Sequence, residues 1–96
     1  MNNKTYNGWK NYQTWVTALW IDNDYGSYQY RCELVEQVRE EHEEEEDREN
    51  CLASSLKDWI EAQNPIVEDA SVFVDLLNSA LSEVDWHEIA ENFLSQ

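Results

Sequence analysis

Only Gly8, Gly26 and Pro65 in this chain have the backbone character that tight turns exploit or that breaks regular structure. A small all-β fold needs turn chemistry about every 8–12 residues, and so sparse a supply cannot provide it. Between these three positions the apolar residues recur three and four apart, the period of a helix with one buried face. The pattern predicts an all-α fold: a single small domain of about five short helices, packed as a bundle or an orthogonal array.

The expected helices can be read in order. Residues 1–10 read as an irregular arm with rings at Tyr6 and Trp9. Asn11 is a plausible N-cap for a first helix whose stripe is Tyr12, Trp15, Val16, Leu19 and Trp20. That helix should end near Asp22, Asn23 and Asp24, with Gly26 completing the turn. Ser27 could cap a second helix that buries Tyr28, Cys32, Val35 and Val38, with Leu34 alongside. Beyond Val38 the apolar pattern stops, so either the helix runs on as a solvated rod or the chain turns within residues 39–50; the expectation is a helix to about residue 45 and a turn near Asp47 to Asn50. A third helix carries Leu52, Leu56, Trp59 and Ile60 and should stop at Asn64-Pro65. A fourth presents Ala70, Phe73, Leu77, Ala80, Leu81 and Val84. The fifth has the clearest start, a capping-box pattern at Asp85 and Glu88 with Val84 and Ile89 placed as a hydrophobic staple. Trp86, Ile89, Ala90, Phe93 and Leu94 form its apolar face.

A chain of 96 residues suits one domain. Its core would draw on five Trp, five Tyr and two Phe, because large rings bury much area per residue. The aromatic block at Trp9, Tyr12, Trp15 and Trp20 has the spacing of a core face, and Trp9 is the ring expected to remain exposed. No apolar run reaches the roughly 18 residues of a membrane span, and the Met1-Asn2-Asn3-Lys4 start lacks the apolar core of a signal peptide. A cytoplasmic location is the expectation. Cys32 and Cys51 read as free thiols, roughly 20 Å apart if they lie on antiparallel helices, well beyond disulfide reach.

Charge narrows the partners. Twenty-one acidic residues oppose six basic ones, for a formal net charge of −15. Nucleic acids and anionic membranes are bound through Lys and Arg, so direct binding to either is not expected. The expected partner is basic. The charge concentrates in residues 39–50, where eight of twelve are acidic: Glu40, Glu41, Glu43, Glu44, Glu45, Glu46, Asp47 and Glu49. As one helix this segment would extend about 18 Å, or roughly 2.3 Å of axis per acid. Duplex DNA carries one charge per about 1.7 Å, so such a rod could compete for a nucleic-acid-binding groove. Glu36–Glu40, Glu40–Glu44, Glu41–Glu45 and Glu45–Glu49 would each be repulsive by about 0.2–0.5 kcal/mol in that helix. Sequence tuned for stability alone would avoid the run, although a solvated, tolerated charge cluster is the competing reading.

Two blocks carry a family resemblance. The first is Tyr6-Asn7-Gly8-Trp9-Lys10-Asn11-Tyr12-Gln13-Thr14-Trp15 with Ala18-Leu19-Trp20-Ile21-Asp22-Asn23-Asp24; the second runs from Ala80 to Ala90 and includes Val84-Asp85-Trp86-His87-Glu88-Ile89. Together they resemble a family of small proteins of phages, plasmids and prokaryotic genomes with no established activity. The resemblance implies a mobile-element setting and, by analogy with other small acidic proteins encoded there, inhibition of a host defence system.

Other chemistry is weaker. Asp22, Asp24 and Glu33 fit three positions of a calcium loop, but the glycine is displaced by one, and a helix-ending turn explains the same residues. His42 and His87 have no Cys or second His at a zinc-ligand spacing, so no metal site is expected. Phosphate loops and nucleophile elbows are absent from the sequence, which predicts neither catalysis nor a cofactor. The leading expectation is an acidic nucleic-acid mimic of anti-CRISPR or anti-restriction type, acting on a basic nucleic-acid-binding host protein. The alternative is a non-catalytic adaptor with an exposed aromatic patch near Tyr6 and Trp9. Its oligomeric state, monomer or dimer, is left open.

Overall fold

The polar arm preceding the first helix is more regular than its composition suggests. In the computed structural model, which describes residues 6–63 and 72–96, Tyr6 and Trp9 exchange both backbone hydrogen bonds, at 3.0 and 2.7 Å. Asn7 and Gly8 between them have φ of 47° and 89°. Positive φ at both central positions is the requirement of a type I′ turn, and Asn-Gly is the dipeptide that meets it. The turn brings the Tyr6 ring against Tyr12 and Trp15, with centroids 5.1 and 4.9 Å apart.

Among the described residues five helices follow: α1 (Tyr12–Asn23), α2 (Tyr25–Glu41), α3 (Glu45–Ala62), α4 (Val72–Ser82) and α5 (Trp86–Leu94). The protein is therefore a small all-α domain. No helix among the described residues is long and apolar enough to cross a membrane. The most extensive packing is α3 against α5; α1 lies on α2 and α5, and α2 also on α3. One core joins them, including Leu52, Leu56, Ile89 and Ala90, all fully buried, with Phe93 and Val38 nearly so.

The expected apolar face of α5 holds in full: Trp86, Ile89, Ala90, Phe93 and Leu94 are all buried. On α3, Leu52 and Leu56 are buried, while Trp59 and Ile60 pack at the core margin. In α4, Leu77, Ala80 and Leu81 are half-buried, and Val84 is buried just beyond the helix. The expected stop at Asn64-Pro65, and Ala70, lie outside the described residues, as does the side chain of Phe73.

Other expectations are corrected. The buried line of α1 is Thr14, Ala18 and Ile21; Tyr12, Leu19 and Trp20 are exposed, and Trp20 most of all at 69%. Small Ala18 and Thr14 allow close approach to the neighbouring helices, and the bulky rings flank that contact. Trp9, expected outside, is half-buried against the core. In α2, Tyr28 is exposed and Cys32 half-buried; Arg31 joins Leu34, Val35 and Val38 inside. Both cysteines are free.

The cap of α2 is also not Ser27. Asp24, the single residue between α1 and α2, accepts the Ser27 backbone N–H at 3.0 Å and its hydroxyl at 2.8 Å. These bonds hold the Asp24 carboxyl below the ordinary carboxylate range, the backbone donor contributing most. Gly26 thus lies inside α2 rather than in a turn. A methyl group there would meet only Asp24 Oδ2, at an ordinary 3.8 Å. Gly26→Ala should raise stability by about 0.4–1 kcal/mol through loss of unfolded-state freedom, measurable by urea denaturation.

The two ends of the chain are sewn together by polar contacts. Asn11 Oδ1 caps α1 by accepting the Thr14 N–H at 2.9 Å, and its Nδ2 donates to the Glu83 carbonyl at 2.7 Å. Asp85 caps α5 by accepting the Glu88 N–H, which is the forward half of the expected capping box. The Asp85 N–H goes instead to the buried Thr14 hydroxyl, at 2.9 Å, while Glu88 Oε1 accepts the Lys10 N–H.

Candidate functional site: the acidic tip between α2 and α3

Position along a helix decides what the acidic run costs. An acid in the first turn of a helix is favoured by the helix dipole, and one in the last turn is opposed. The chain breaks accordingly. α2 ends at Glu41, His42 to Glu44 form the connection, and α3 begins at Glu45. The expected continuation of α2 to about residue 45, and the turn at Asp47 to Asn50, are corrected. So is the 18 Å rod: the eight acids gather around a turn at one end of the α2–α3 pair. The break takes Glu40–Glu44 and Glu41–Glu45 out of helical register, leaving Glu36–Glu40 and Glu45–Glu49 one turn apart.

Arg48 holds this geometry. Its Nε donates to the His42 carbonyl at 2.7 Å and a terminal nitrogen donates to the Arg39 carbonyl at 3.2 Å. Both acceptors belong to the end of α2, where carbonyls lack helical donors. Arg39 does the same for α5, donating to the Leu94 carbonyl at 2.7 Å. Arg31, only 5% exposed, pairs with Asp22 at 3.1 Å, donates to Gln96 Oε1, and lies over the Phe93 ring at 4.2 Å. All three arginines are therefore occupied in holding helices together. Arg48→Ala should cost about 1–2 kcal/mol by leaving two carbonyls without their charged donor. Arg48→Lys should recover only part of this, because an ammonium lacks the guanidinium fork; thermal unfolding of the two variants checks both.

The expected site residues are placed as follows. Glu40, Glu41, Glu43, Glu44, Glu45, Glu46 and Asp47 are exposed, and Glu49 is partly covered. Glu45 lies 3.8 Å from Arg48, and Glu49 lies 3.5 Å from His87 Nδ1. The other six have no ion pair among the described residues. Glu44 occupies the N-cap of α3 yet makes no side-chain cap bond, where Ser or Asp would serve better. Of the calcium-loop candidates, Asp22 is engaged by Arg31 and Asp24 by the α2 cap.

The fold also joins residues that sequence spacing kept apart. Ligand-capable atoms of Glu41, His42 and Cys51 lie within 4.8 Å of one another. A second surface emerges at the α1–α2 corner, where Trp20 and Tyr25 are 69% and 75% exposed.

These features define a small all-α protein with an acidic tip built on two helix ends. Residues 2–92 match the model of DUF7249, a family of unknown function, and the chain belongs to that family. No curated protein and no solved structure matches the chain.

Proposed function

We propose that the protein is a non-catalytic inhibitor that binds a basic, nucleic-acid-binding protein through its acidic tip. The observation that carries this reading is the set of six exposed carboxylates without an ion pair among the described residues: Glu40, Glu41, Glu43, Glu44, Glu46 and Asp47. Helix electrostatics accounts for Glu46 and Asp47, which lie in the first turn of α3. It does not account for Glu40 and Glu41, which oppose the dipole of α2, nor for Glu43 and Glu44 in the connection. Lys and Arg of a partner would relieve that repulsion, and the long-range field would speed association. In its finer form the proposal is a mobile-element protein of anti-CRISPR or anti-restriction type, occupying a DNA- or RNA-binding groove in the host cytoplasm. The compact tip then imitates a cluster of phosphates rather than a length of duplex.

The test is affinity capture from a prokaryotic lysate at low salt, followed by stepwise salt and by duplex DNA. Release of a nucleic-acid-binding protein by both supports the proposal. A partner retained through high salt and indifferent to DNA contradicts it.

A second reading, an adaptor that docks through apolar surface, is favoured by the exposure of Trp20 and Tyr25 at the α1–α2 corner. Near the patch expected at Tyr6 and Trp9, Tyr6 and the adjacent Tyr12 are also exposed, whereas Trp9 is half-buried. Binding of that kind would resist salt and be lost in Trp20→Ser with Tyr25→Ser.

A further inference from the structure

We infer that Glu41, His42 and Cys51 form a binding site for a thiophilic divalent cation, with zinc the best fit. Carboxylate, imidazole and thiolate are all zinc donors, and three protein ligands leave the fourth tetrahedral position for water or a partner's side chain. The three come from the last residue of α2, its C-cap and the second turn of α3. Eight residues separate His42 from Cys51, so no linear motif announces the set.

Three features of the structure support the assignment. The donor atoms lie within 4.8 Å of one another. Ligands of one tetrahedral zinc, at about 2.0–2.3 Å from the metal, stand roughly 3.5 Å apart, so closure requires about 1 Å of side-chain movement. Glu41 is exposed and free to supply it, its contact from Gln37 being a long 3.3 Å. His42 and Cys51 are half-buried, and among the described residues neither the ring nor the thiol is committed to a hydrogen bond. Arg48, three residues before Cys51, fixes the His42 backbone by its 2.7 Å bond to the carbonyl, so the connection and α3 are already tied together. Outer contacts of this kind orient ligands and hold a site's geometry.

The surrounding charge acts in the same direction. Glu40, Glu43, Glu44 and Glu45 flank the triad in sequence and concentrate cations near it. Carboxylates alone would favour calcium or magnesium; the sulfur and imidazole shift the preference to zinc or cobalt. Binding forms the metal–sulfur bond as the thiol proton leaves to solvent, with no change of oxidation state. A groove between α2 and α3, lined by Tyr30, Leu34, Val38 and Cys51, opens the site to solvent. The inference does not depend on the proposed partner, because the tip would hold the ion in the free protein.

The experiment is cobalt(II) titration of the reduced, full-length protein, followed by absorbance. One cobalt per chain is expected, with a thiolate-to-cobalt charge-transfer band that zinc abolishes and excess magnesium does not. Cys51→Ser should remove the band and weaken binding on the order of 100-fold, and His42→Gln should weaken it at least about tenfold. Cys32→Ser should change neither. Alkylation of wild-type Cys51, with and without zinc, provides a second readout that needs no variant to fold; zinc should protect the thiol. Binding without the charge-transfer band, displacement by magnesium, or alkylation of Cys51 unaffected by zinc would overturn the site and leave only cations condensed on an acidic surface.

Discussion

Phe93→Ala is expected to lower stability by about 3–5 kcal/mol, enough to unfold much of the population near physiological temperature. Phe93 is 1% exposed on α5, the helix that packs most extensively on α3. Its ring also carries the Arg31 guanidinium at 4.2 Å, so truncation opens a cavity beneath a buried charge. Arg31 would keep Asp22 and Gln96 but lose its apolar bed. For a domain of this length the thermal midpoint should fall by more than about 12 °C. A fall of only a few degrees would mean that α5 does not close the core as described.

The second large effect concerns the tip. A variant combining Glu40→Gln, Glu43→Gln, Glu44→Gln and Glu46→Gln should associate with the basic partner about 10²–10³-fold more slowly, with a much flatter dependence on salt. Its fold should survive. Losing the Glu36–Glu40 repulsion gains about 0.2–0.5 kcal/mol, while losing the charge of Glu46 in the first turn of α3 costs about 0.3–1 kcal/mol. Glu44 makes no cap bond to lose. Glu41 is left intact, so the cation site and the partner surface fail separately. Stopped-flow association at two ionic strengths measures the effect, and circular dichroism confirms the fold.

Periodicity and caps made much of this architecture legible in advance. Asn11 and Asp85 cap α1 and α5 as their sequence contexts imply, and the whole buried face of α5 follows from spacing. Periodicity is less informative where a helix touches two neighbours. In α1 it favoured the aromatic stripe, whereas tertiary contacts select Thr14, Ala18 and Ile21 and leave Trp20 outside. The Asn7-Gly8 turn was missed by reading residues 1–10 as an irregular arm, although the dipeptide carried the signal, because both positions tolerate positive φ.

The site was legible as a set of charges but not as a shape. The eight acids are evident in the sequence; where the helix breaks within them depends on Arg48 reaching back to the His42 and Arg39 carbonyls. Nothing in the sequence marks Arg31 as buried; its side-chain contacts with Phe93 and Gln96 place it inside. The approach of Cys51 to Glu41 and His42 follows from the same break, so any reading that continues α2 through residue 45 separates them.

The most direct test of the central claim is parallel affinity capture with the wild-type protein and the four-glutamine tip variant as baits, from the same lysate at low salt. The account predicts that a nucleic-acid-binding protein is retained by the wild type, released by duplex DNA, and missing from the variant. Equal recovery of the same partner by both baits would contradict it and assign recognition to the exposed aromatic corner between α1 and α2.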